Sequence, residues 1–198
     1  MDKRTKTRSQ YNADLANLHK RLRGGHVLRY HTRPELIDGQ NVAAHTWRTM
    51  VILQTLWPDI SKNGLLYMMY HDVAEAETGD MPATTKWKYP ELNKMMGIVE
   101  REYEERIGLE NFEAILTKEE QDKCDVADKL ELVFHCYRLM QQGNTLADDV
   151  FSKGTDYLMQ RYGKEAFFSP VKEILNALSS EYRKPSRLQV TLEQFSNL

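Results

Sequence analysis

The scarcity of chain breakers most limits the folds open to this sequence. Its 198 residues include only 6 prolines and 10 glycines, and long stretches contain nothing that would stop a helix. Nowhere do apolar and polar residues alternate over a strand's length, so no half-buried sheet is predicted. Apolar residues instead recur at helical spacing. Val42, His45, Thr49, Ile52 and Leu56 form one stripe, and Leu65, Met68, Asp72, Glu75 and Gly79 form another. The spacing predicts helices over 14–22, 42–56, 63–79, 90–107, 118–142, 146–162 and 169–182. Asn63 is read as an N-cap, Pro90 as an opening residue, Thr117–Glu120 as a capping box, and Gly79, Gly108 and Gly143 as stops. Residues 26–41 read as an irregular loop. The expectation is an all-α protein, a compact bundle of about six or seven helices forming a single domain over residues 1–198.

Composition narrows the function classes. The chain is 41% hydrophobic and 28% charged, too apolar for a disordered segment. A net charge of -2 supplies no global field, so no stable nucleic-acid partner is expected. No apolar run reaches about 18 residues, and no apolar stretch follows the basic N-terminus, so neither a membrane span nor a secretory signal is expected. Cys124 and Cys136 are the only cysteines and make no disulfide scaffold. These traits fit the cytoplasm.

Two of the stripes hold groups that an apolar core rejects. His45 lies among Val42, Thr49 and Ile52; Asp72 and Glu75 lie among Leu65, Met68 and Ala76; His71 precedes Asp72. A third helix repeats the pattern, with Asp128 in line with Cys124, Leu132 and His135. A buried carboxylate without a partner is very costly, so such groups pair or bind a cation. His45, His71, Asp72 and Asp128 make a mixed nitrogen and oxygen set. That set suits a divalent transition metal such as Zn, Co or Mn better than Ca or Mg, and leaves positions open for water and substrate.

The order His45, His71-Asp72, Asp128 resembles the HD-domain metal-dependent phosphohydrolases. The string His71-Asp72-Val73-Ala74-Glu75-Ala76-Glu77-Thr78-Gly79-Asp80-Met81-Pro82, with Lys86 soon after, is similar to the YfbR-like 5′-deoxynucleotidase branch. Arg29-Tyr30-His31-Thr32 ahead of Val42-Ala43-Ala44-His45-Thr46-Trp47 further resembles phage members of that branch, which include dATP triphosphohydrolases. The resemblance covers about residues 26–137.

The resemblance implies an HD-domain helical fold with the metal on His45, His71, Asp72 and Asp128. It implies Glu75 and Asp80 as catalytic residues, Glu75 positioning or deprotonating the attacking water and Asp80 meeting the sugar 3′-hydroxyl. Arg29 and Lys86 would bind phosphate oxygens. Read from charge alone, Arg33, Lys86, Lys88 and Lys129 could serve phosphates beyond the α-phosphate, with an additional Mg on the substrate phosphates. The branch often has tryptophan after its arginine, where this chain has Tyr30, and that departure bears on the refusal of ribose. The branch is typically oligomeric, so a homo-oligomer is expected.

The resulting expectation is hydrolysis of a deoxynucleotide at its 5′ phosphoester, with a dATP-type triphosphohydrolase first and a 5′-deoxynucleotidase acting on dNMPs second. Another phosphoester, or a non-catalytic metal-stabilised nucleotide-binding module, remains open at this point. Trp47 and Trp57 are assigned to the core, Trp87 to a pocket rim and Glu77 to solvent.

Overall fold

The structure, a computed structural model, describes residues 6–182. Among these residues there are nine α-helices and no strand: α1 Arg8–Gly24, α2 Val42–Leu56, α3 Lys62–Tyr70, α4 Glu75–Thr78, α5 Ala83–Lys88, α6 Pro90–Arg106, α7 Lys118–Gln141, α8 Asp148–Tyr162 and α9 Ser169–Tyr182. Helices α4 and α5 have only 4 and 6 residues, which leaves seven long helices, as the apolar spacing predicts. No described helix is long and apolar enough to cross a membrane.

The chain divides into two compact units at Glu131/Leu132, within α7. In the second, Leu158, Phe168, Val171 and Leu175 are buried from α8 onward, and Gly154 leaves α8 room for Val133. All of the candidate site residues lie in the first unit.

Helix α2 starts where its sequence says it should. The Asn41 side chain accepts from the Ala44 N–H, and the stripe Val42, His45, Thr49 and Leu53 is buried. Helix α1 begins earlier than expected, because Thr7 and Gln10 form a reciprocal capping box that extends a mostly polar helix. Trp57 is buried, but Trp47, expected in the core, lies on the outer face of α2 and is 68% exposed.

The expected helix over 63–79 is broken. Ser61, rather than Asn63, caps α3, which ends at Tyr70. From there Val73 N–H donates to the Tyr70 carbonyl, Glu75 N–H to Asp72, Ala76 N–H to Val73 and Glu77 N–H to Ala74. These bonds span three residues rather than four, so the backbone winds more tightly through the His71-Asp72 stretch. No proline or glycine marks the change, which is why residue spacing does not reveal it. Val73 and Ala74 hold it in place by joining Tyr103, Ile107 and Leu109 in a core cluster. Gly79 then takes φ +74°, a conformation that glycine adopts without strain, and turns the chain toward Asp80.

Helix α1 presses on this turn. A Cβ added at Gly24 would stand 2.8 Å from both the Val73 carbonyl oxygen and a Val73 methyl. Nearby, the Arg21 guanidinium donates to the carbonyls of Ile107 (2.9 Å) and Gly108 (2.8 Å), satisfying the C-terminal end of α6. Gly24→Ala should therefore cost about 1–3 kcal/mol by overpacking. That lowers the melting temperature by several degrees in calorimetry, at about 2–4 °C per kcal/mol for a chain of this size. An unchanged melting temperature would mean that α1 does not brace the turn.

Candidate active site

Three elements deliver the polar groups to one place. His45 comes from the buried face of α2, His71 and Asp72 from the tight turn after α3, and Asp128 from α7. His45 Nε2 lies 3.2 Å from His71 Nε2, 3.5 Å from Asp72 Oδ2 and 3.1 Å from Asp128 Oδ1. His71 Nε2 lies 3.3 Å from the same Asp72 oxygen. Ligand atoms of His45, His71 and Asp72 all fall within 4.8 Å of one another. Two ligands each about 2.1 Å from one zinc-like ion stand roughly 3–3.4 Å apart, so these spacings fit a shared divalent cation.

The far sides of both imidazoles are committed. His71 Nδ1 is 2.8 Å from the Met68 carbonyl, and His45 Nδ1 is 2.8 Å from Glu131 Oε2. A carbonyl and a carboxylate can only accept, so each Nδ1 carries a hydrogen, the arrangement in which a bound cation would take the Nε2 lone pair in place of a proton. Metal-binding histidines are characteristically held in this way.

The electrostatics follow from gathering these groups out of water. Burial alone would pull the His45 imidazole down, but the hydrogen bonds it donates to Asp128 and Glu131 outweigh it and lift it to about 9. Burial opposes ionisation of Asp72, yet His71, Arg29 and His45 hold its carboxyl below the usual range. Against the same burial, Lys129 and His45 hold Asp128 well below that range. Glu75 behaves oppositely. Burial first, and the Asp72 charge second, push its carboxyl up to about 9, and its Oε2 is buried without a hydrogen-bond partner. The three carboxyls thus differ, with Asp72 and Asp128 held toward the ionised form and Glu75 toward the protonated one.

The residues expected to bind substrate lie around this cluster. Arg29 Nη1 donates to Asp72 Oδ2 at 2.7 Å, and Nη2 donates to the Tyr30 hydroxyl at 3.3 Å. Tyr30 has φ +59°, uncommon for a residue with a Cβ, and its backbone N–H donates to Asp80 Oδ2 at 2.7 Å. Asp80 therefore anchors the loop that carries Arg29 and Tyr30. Lys129 Nζ donates to Asp128 Oδ2 at 2.5 Å. Lys86 is half-buried on α5, and its charge is felt at Glu75 and Glu100. Trp87 is 71% exposed beside it, and Glu77 faces outward against Arg106.

Sequence reasoning missed Glu131, Gln40 and Arg48. Glu131 is 1% exposed, and it accepts from Gln40 Nε2 at 2.9 Å and from Arg48 Nη1 at 3.4 Å as well as from His45. Its signal was present: it lies three residues after Asp128, one turn along the same face of α7.

Residues 27–166 match the family described as 5′-deoxynucleotidase YfbR-like. No curated protein sequence matches the chain. Among solved structures it is similar to the HD phosphohydrolase DatZ of cyanophage S-2L, bound to dA and one catalytic Zn2+ ion. That similarity has TM-score 0.62 and 21% identity, over 84% of this chain and 96% of that one. It is also similar to the PH0347 protein of Pyrococcus horikoshii OT3, with TM-score 0.62 and 18% identity over 83% and 97% of the two chains. At those identities the likeness establishes the all-α HD-domain fold. The family match spans more than two thirds of the sequence, and the chain belongs to the YfbR-like 5′-deoxynucleotidase family as a metal-dependent phosphohydrolase of deoxynucleotides.

Proposed function

We propose that the protein cleaves the 5′ phosphoester of a deoxynucleoside triphosphate of the dATP type, releasing deoxynucleoside and triphosphate. The observation that carries this reading is the pairing of the metal-binding cluster with a separate, protonated Glu75 and three cations, Arg29, Lys86 and Lys129. Arg29 and Lys129 are paired with Asp72 and Asp128, and would be released to phosphate oxygens beyond the first once a cation takes those carboxylates. DatZ, bound to dA and a catalytic Zn2+ ion, supports both an adenine deoxynucleoside and zinc. Co and Mn suit the same donor set. The family's own description favours a second reading, 5′-deoxynucleotidase action on a dNMP, and the same site chemistry serves both.

His45, His71, Asp72 and Asp128 would hold the cation. When bound, it would neutralise charge on the α-phosphate and acidify an adjacent water. Asp72 and Asp128 stay ionised under their neighbouring cations, and so are ready to bind metal without first losing a proton. Arg29, drawn against Asp72, is placed to turn its guanidinium to a phosphate oxygen once the Asp72 charge is engaged elsewhere. Glu75 has no other hydrogen-bond duty at Oε2. It loses its proton more readily when positive charge gathers beside Asp72, and can then accept one from the attacking water. The same proton can go to the departing 5′ oxygen, so the cleaved bond leaves no alkoxide. Asp80 holds the Tyr30 backbone, which sets the wall against which the sugar would lie.

Glu75→Gln is expected to keep the fold and the metal but to lower turnover at least ~100-fold, read by release of deoxynucleoside. Turnover equal to the parent's would remove Glu75 from the reaction. Incubating the zinc-loaded protein with dATP and, separately, dAMP distinguishes the two substrate readings. Tripolyphosphate from dATP is expected. Orthophosphate from dAMP with dATP left intact would make the protein a monophosphatase.

A further inference from the structure

We propose that Glu131 is the positioning residue of the metal centre, and that its two oxygens tie a metal-binding histidine and the substrate loop to a single buried carboxylate. The inference rests on the metal site described above but not on which deoxynucleotide is cleaved.

Glu131 lies on α7 one turn beyond Asp128, with 1% of its side chain exposed. A buried carboxylate normally needs its oxygens satisfied. Oε2 accepts from His45 Nδ1 at 2.8 Å, which fixes the ring's tautomer and aims Nε2 at the cluster. Oε1 accepts from Gln40 Nε2 at 2.9 Å and from Arg48 Nη1 at 3.4 Å. Gln40 is itself buried, at 5% exposure, and sits at the closing end of the loop over residues 25–41. The Gln40 carbonyl accepts from the Arg29 N–H at 2.9 Å, and Val42 N–H closes the loop onto the Val27 carbonyl, also at 2.9 Å. One path therefore runs from the His45 ring through Glu131 and Gln40 to the backbone of Arg29. Arg48 sits one turn after Ala44 on the same helix as His45, so three donors converge on Glu131 from one loop and one helix.

Each oxygen has a separate duty, so the two halves of the device can be cut apart. In Glu131→Gln the shape is kept, but the amide brings a donor. With its oxygen toward His45, its NH2 faces the Gln40 amide and the Arg48 guanidinium, and donor meets donor. Flipped, its NH2 faces Nδ1 and favours the tautomer whose Nε2 carries hydrogen, which cannot bind metal. Gln40→Leu removes only the Oε1 partner and leaves the His45 bond.

The test is Zn2+ affinity, measured by competition with a chromophoric chelator on the full chain, with thermal melting of each metal-free variant alongside. Glu131→Gln should weaken Zn2+ binding about 10–100-fold. Gln40→Leu should leave Zn2+ affinity within about threefold while raising KM for the hydrolysed deoxynucleotide about tenfold, through the loosened loop. If Glu131→Gln does not fold, Glu131→Asp takes its place. It keeps the charge but falls one methylene short of His45, and should weaken Zn2+ similarly. Parental Zn2+ affinity in the folded Glu131 variant overturns the proposal. So does an equal loss of Zn2+ affinity in Gln40→Leu, since that would be general core damage rather than orientation of His45. Loss of Zn2+ affinity in a Glu131 variant stands whichever deoxynucleotide proves to be the substrate.

Discussion

Holding three carboxylates and two imidazoles out of water at about 3 Å spacing is the constraint on which the rest of this structure depends. Asp72 and Asp128 both reach His45 Nε2, at 3.5 and 3.1 Å, and Glu131 takes the other side of the same ring. Desolvated like charges at such distances repel strongly, and the folded state tolerates them only with compensating cations. Arg29 against Asp72 and Lys129 against Asp128 supply part of that compensation from the chain itself. A divalent metal held by His45, His71, Asp72 and Asp128 would supply the remainder. The same crowding pushes the Glu75 carboxyl up, which is the state the proposed acid–base role would use.

The surrounding fold serves that constraint locally. The tight turn after α3 places His71 and Asp72 on one side while Val73 and Ala74 enter the cluster with Tyr103, Ile107 and Leu109. Gly24 of α1 lies against Val73, with no room for even a methyl group. The loop before α2 is pinned at both ends by backbone bonds, and Asp80 fastens its Tyr30. Polar ligands thus rest on a packed apolar floor, which suits side chains that must stay oriented before any substrate arrives.

The gathering of these polar groups was legible in the sequence because His45, Asp72 and Asp128 break apolar stripes, where an apolar core would reject them unpaired. Helices α2 and α6 were legible because an apolar stripe runs from Val42 and Pro90 opens the second. The break after Tyr70 was not, because it is made by a change of hydrogen-bond span and imposed by tertiary packing rather than by a proline or glycine. Glu131 was overlooked for a related reason, although it lies one turn after Asp128. A glutamate on a helix reads as solvent-facing unless its partners are known, and Gln40, His45 and Arg48 lie more than eighty positions away. Trp47 misled in the opposite direction, since a large aromatic beside a buried histidine suggests core but projects outward here.

The central claim is that His45, His71, Asp72 and Asp128 share one ion. X-ray absorption of the zinc-loaded protein reads that ligand shell directly. The account predicts one zinc per chain with two imidazole donors and the remaining positions filled by oxygen. A shell with a single imidazole or none, or one containing sulfur from Cys124 or Cys136, would contradict it.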